Sequence, residues 1–170
     1  AADSVPAMIA ADARVVIAGP NGIRESSVAE IATAPGKTSL NHDEFVTAIL
    51  LPKPPARSAD AYLRFIPRTE MDIAVVGAGV SLTLNADGTC AAARLALGAV
   101  APTAGLVDAA TEILVGNKLD DSVLEALSEA ASNACSPIDD KRGTIEFRTN
   151  VAGVLACRAT TIAWQRAENN

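Results

Sequence analysis

Residues able to do chemistry are sparse in this sequence. The run VVGAG at 75–79 has the look of a dinucleotide-binding turn. That chemistry needs a third glycine, a helix whose N-terminus meets the pyrophosphate, and an acidic residue about 20 positions on. Here the third position is Leu82, and SLTLNADG continues as strand and then turns. The glycines are therefore expected to let one sheet face lie close to a packed helix or another chain. GPNGIRES lacks the Lys-Ser/Thr ending of a phosphate loop. The single histidine, His42, sits in a polar NHDE turn with no nucleophile at hand, and reads as a solvated loop residue. Cys90, Cys135 and Cys157 have neither zinc nor iron–sulfur spacing and read as small buried hydrophobes. Their odd number and wide gaps predict no disulfide framework and suit a reducing cytoplasm. DDKR at 139–142 reads as a solvated loop, with contact to a partner subunit as its functional alternative. The residues alone offer no catalytic group and no metal site.

The elements that must position these residues follow from composition and pattern. The chain has 170 residues, 49% of them hydrophobic and only 3% aromatic, so its core must be aliphatic and alanine-rich. A net charge of −6 leaves no basic footprint for nucleic acid or an anionic membrane, and no apolar run is long enough to span a bilayer. The start, AADSVPAMIAADAR, lacks both an initiator Met and the pattern of a signal peptide. Pro52, Pro54 and Pro55 mark a linker, giving an incomplete first domain over 1–55 and a second over 56–170. The first reads as a short helix at PAMIAADA, a strand RVVIAG, a turn PNG, a partner strand GIRESSV and a strand EFVTAILL buried on at least one face.

In the second, YLRFI is a strand, and DIAVVGAGVSLTL alternates with period two. The turn NADG leads to CAAARLALGAV, with Leu95 and Leu97 on one face and Arg94 on the other. Three helices follow. The first carries Leu106, Ala110, Ile113 and Leu114 on one stripe and stops at Gly116. The second begins with Ser122 and Glu125 in capping-box spacing. The third, from about Ile145, lines up Val151, Val154, Leu155, Ala159 and Ile162. The fold class is α+β: the end of an α/β subdomain, then a small antiparallel sheet packed on about three helices.

The order of several segments carries a resemblance. ADSVPAMIAADARVVIAGPNGIR, KTSLNHDEFVTAILLP, AYLRFIPRTEMDIAVVGAGVSL, ARLALGAVAPT and SPIDDKRGTIEFRTNVAGVLACRAT together resemble the FAD-binding (medium) subunit of molybdenum hydroxylases, enzymes of the xanthine dehydrogenase and carbon monoxide dehydrogenase type. RTEMDIA, ALGAVAPT and the D-x-R-G-x-x-x-x-R run from Asp140 to Arg148 are its specific parts. The resemblance covers essentially the whole chain and implies the C-terminal portion of such a subunit, without the N-terminal FAD-binding segment and its glycine-rich loop. It implies FAD as cofactor, contacted by Asp3, by Val46 packing on the flavin ring, and by Arg64, where the family often has Lys. It also implies a large subunit with the molybdenum cofactor and a small subunit with two [2Fe–2S] clusters. The expected role is to relay electrons from those clusters through FAD to an acceptor. The alternative is a docking module of the complex that binds no flavin itself.

Overall fold

The computed structural model describes residues 3–69 and 72–170. Glu70 and Met71 of the RTEMDIA run lie outside the described residues. The chain opens with a helix, α1 (Val5–Ala10), whose Pro6 sits in the first turn, where no backbone N–H is needed. Asp12, at φ 56°, reverses the chain into β1 (Arg14–Gly19). Pro20 and Asn21 then turn it into β2 (Gly22–Ser27), so the GPNG run is a hairpin turn. A capping box between Ser27 and Glu30 starts a 3-10 turn at Val28–Glu30. A small two-stranded ribbon of β3 (Ala32–Ala34) and β4 (Lys37–Thr38) leads to β5 (Phe45–Leu50). The first sheet has the order β2-β1-β5, all antiparallel. Ile9 and Ala10 of α1 pack with Val15 and Ile17 of β1, Val28 and Ala96, the last contributed by the second sheet.

The second sheet is β6 (Ser58–Phe65), β7 (Val76–Leu84), β8 (Cys90–Gly98) and β9 (Gly105–Leu106), in that order and antiparallel throughout. Its faces are divided by the pleat. Val76, Ala78, Val80, Leu82 and Leu84 join Leu95 and Leu97 in the main core, under α2 (Asp108–Leu114), α3 (Asp121–Asn133) and α4 (Ile145–Glu168). Ala152, Ala156, Ala159, Ala163 and Ala167 form the inner stripe of α4, so the helix lies close to the sheet. Small residues carry the opposite face, where α1 lies across β7 and β8. A Cβ on Gly79 would come within 2.7 Å of the Pro6 carbonyl oxygen, and one on Gly98 within 2.4 Å of Pro6 Cγ. Of the VVGAG glycines, Gly79 thus serves helix packing. The α+β class and the antiparallel sheet with its helices are as expected.

Several local expectations are corrected. EFVTAILL is not buried on one face: every residue of β5 is exposed, and the core that packs with α1 includes Val15 and Ile17 of β1 but no residue of β5. Leu106 belongs to β9, not to the stripe of α2. Asp120, not Ser122, caps α3, accepting from the Val123 N–H at 2.9 Å while the Ser122 hydroxyl donates to it at 2.7 Å. Val154 points outward, since alanines take the inner face of α4. β6 begins at Ser58, four residues before the expected strand.

Candidate functional site

Arg64 and Tyr62 lie two apart on β6 and so project from the same sheet face. Opposite them in register on β7 are Gly77 and Gly79. The missing side chains leave room for long neighbours: a Cβ on Gly77 would come within 2.9 Å of the Tyr62 hydroxyl oxygen. Both side chains reach across to Asp3, just before α1. Arg64 Nη1 donates to Asp3 Oδ2, and the Tyr62 hydroxyl donates to the Asp3 carbonyl. The Ala74 N–H donates to Asp3 Oδ1 at 3.3 Å. Burial, and then the nearby Asp3 charge, push the Tyr62 phenol above its ordinary pKa, which keeps it a neutral donor. The ion pair stays about one-third exposed, at 37% for Arg64 and 32% for Asp3. It can therefore meet a ligand from solvent.

The segment that supplies the Ala74 N–H is held from behind. Arg148 of α4 is 4% exposed. It donates from Nη1 to the carbonyls of Val75 at 2.9 Å and Ala99 at 3.2 Å, and from Nη2 to Asp140 Oδ1 at 2.6 Å. The Arg142 N–H, and then Arg148, hold the Asp140 carboxyl below its usual pKa. The D-x-R-G-x-x-x-x-R run is thus a clasp that ties the start of α4 to the end of β8 and the start of β7. The DDKR segment does not simply float in solvent.

Val46 sits on β5, paired with Ile17, and is 39% exposed. Asp3 and Arg64 are brought together, whereas Val46 lies on the other sheet. The sequence reading missed Tyr62, although period-two spacing puts it on the face of Arg64. A cleft of about 760 Å³ lies elsewhere, between the proline linker and the outer face of the second sheet, lined by Leu51, Pro54, Ser58, Thr83, Arg94 and Arg166 among others.

The remaining reactive types are held in inert settings. The His42 side chain is 99% exposed beside Asp43. The thiols of Cys90, Cys135 and Cys157 each donate to a backbone carbonyl. Burial pushes all three pKa values up, Cys135 to about 11, so none is a ready thiolate. Among the described residues no group of three His, Cys, Asp or Glu side chains is arranged to hold a metal ion. None of their helices is long and apolar enough to cross a membrane.

Two family models match the chain. The CO dehydrogenase flavoprotein C-terminal domain covers residues 61–163, and the FAD binding domain in molybdopterin dehydrogenase covers residues 1–54. The chain belongs to the CO dehydrogenase flavoprotein family. It is 34% identical over 153 residues to the carbon monoxide dehydrogenase medium chain of Afipia carboxidovorans, a match covering 90% of this chain and 52% of that one. It is 32% identical over 151 residues to the xanthine dehydrogenase FAD-binding subunit of Escherichia coli O157:H7, covering 88% and 51%. Among solved structures, CO dehydrogenase from Oligotropha carboxidovorans superposes with a TM-score of 0.90 at 32% identity, covering 96% of this chain and 57% of that one. Quinoline 2-oxidoreductase from Pseudomonas putida 86 gives 0.87 at 28% identity, covering 98% and 57%. The chain spans about half the length of the curated relatives it matches.

Proposed function

We propose that this chain is part of an FAD-binding electron-transfer subunit of a molybdenum hydroxylase. Its expected partners are a large molybdenum-cofactor subunit, a small subunit with two [2Fe–2S] clusters, and the FAD-binding segment that the matched stretch does not include. FAD, when bound, supplies the reversible redox chemistry that carries electrons from the clusters to an acceptor. The observation that carries this reading is the Asp3–Arg64–Tyr62 cluster. It presents a carboxylate acceptor and a guanidinium donor, partly exposed and held from three sides.

Such a pair fits the polar edge of a flavin, which needs a few fixed donors and acceptors beside apolar walls. Asp3 holds the Arg64 fork in one orientation, and Tyr62 fixes the backbone that carries Asp3. Most of the charge of Arg64 is balanced by Asp3, so orienting the ligand is its main service. Val46 supplies exposed apolar surface for a ring wall, from the other sheet. The separate family matches on either side of the proline linker support a division near residues 55–56.

The test is FAD titration of the subunit, read by flavin fluorescence. Asp3→Asn and Arg64→Ala should each weaken binding about tenfold or more, the scale of a lost charge-assisted hydrogen bond. His42→Ala should leave it unchanged. Equal affinity in all forms would remove Asp3 and Arg64 from the site. No flavin binding in the wild-type subunit would leave the docking module.

A further inference from the structure

The cleft of about 760 Å³ has no part in the flavin reading. Asp3 precedes α1, whereas the cleft lies at the far end of that helix, against Ala10, Ala11 and Asp12. Its size falls within the range of small-molecule sites, about 300–1,000 Å³, which combine apolar walls with a few placed polar groups. One wall is the proline linker, where Leu51, Pro52, Pro54 and Pro55 are all exposed. These side chains offer only C–H surface, and the proline rings restrict the backbone before anything binds. The floor is polar. Ser58 of β6 and Thr83 of β7, partners in register on the outer face, share a hydroxyl bond of 2.8 Å.

In a chain of net charge −6, three cationic side chains line this one space: Lys53, Arg94 and Arg166. Lys53 makes no hydrogen bond or ion pair among the described residues. Arg94 is fixed in place: Nε and Nη2 donate to the Ile9 carbonyl at 3.3 and 2.9 Å, and Nη2 lies 3.0 Å from Asp12 Oδ1. Its Nη1 has no acceptor among the described residues. Arg166 of α4 donates from Nη1 to the Asp60 carbonyl at 2.6 Å, and its other nitrogens have no acceptor among them. The carboxylates of Asp12 and Asp60 also line the cleft, so its side chains carry one positive charge in excess. We propose that the cleft binds a small organic anion of single charge, in chemical class an aromatic carboxylate. The ring lies against the proline wall, and the carboxylate meets Arg94, Lys53 and Arg166. A guanidinium already held by its other nitrogens loses little freedom in accepting such a partner. This second ligand site stands independently of the flavin contacts.

The test photolabels the complex purified from source cells with 4-benzoylbenzoate, an aromatic carboxylate that attaches to nearby C–H groups under ultraviolet light. Labelled peptides are mapped by mass spectrometry. Label is expected in residues 51–60 and 81–94, which line the cleft, and an excess of 2-naphthoate should displace it. Lys53→Glu should cut that labelling about tenfold or more, the scale of a lost charge-assisted contact. The fold should be untouched, since Lys53 bonds to nothing among the described residues. The neutral 4-benzoylbenzamide should label the cleft about tenfold less than the acid. Label confined to other segments, or no label at all, overturns the proposal. So does equal labelling by the amide, or equal labelling of the Lys53→Glu complex. Flavin content, read on the same samples, should not differ between wild type and variant; a loss of flavin with Lys53→Glu would overturn the independence of the two sites.

Discussion

Tyr62 and Arg148 both act through other residues. Tyr62→Phe deletes one hydrogen bond to the Asp3 backbone and keeps the ring. FAD affinity should fall severalfold with the melting temperature nearly unchanged; an unaltered affinity would make Tyr62 plain packing. Arg148→Met leaves the carbonyls of Val75 and Ala99 without their donor. It should cost about 3 kcal/mol in denaturant unfolding, as expected for a buried pair that loses one member. The Arg24 fork, and then the Asn41 N–H, lower the Glu44 carboxyl from 4.5 to about 2. A depressed carboxyl stabilises the fold fully above its unfolded value and loses that contribution as pH falls through its folded one. The melting temperature should therefore drop between pH 4.5 and 2, and Glu44→Gln should flatten that drop. Asp3 and Arg64 were reachable only through the resemblance, because their contact joins positions far apart in sequence. Tyr62 was within reach of strand periodicity.

At the scale of elements, β7 and α1 fit through absent side chains. Gly79→Ala places a methyl against the Pro6 backbone, which cannot swing away as a side-chain end would. It should cost about 1–3 kcal/mol by overpacking and speed exchange in α1 above all. Equal exchange throughout would show that α1 is not seated by Gly79. The alternation of β7 and β8 was plain in the sequence because the two faces are built from different residue sizes. β5 misled for the converse reason. Its apolar run FVTAIL looks like a core strand, yet hydrophobicity reports what a strand could bury, and nothing among the described residues covers it. In α4 the larger residues drew the eye to Val154, whereas closeness to the sheet demands alanine. Asp120 displaced Ser122 as cap because its carboxylate reaches the third N–H of the helix.

As a whole molecule, the two sheets are joined at α1. The helix closes the small core of the first sheet and lies on the glycine face of the second, with Ala96 of β8 completing the first core. The same junction carries Asp3 onto β6, so the candidate cofactor contacts depend on both sheets. The most direct test of the account is the flavin, molybdenum and iron content, per copy of this chain, of the complex purified from source cells. One FAD per copy is expected, together with molybdenum and four irons from the proposed partner subunits. A complex holding molybdenum and iron but no flavin would contradict it.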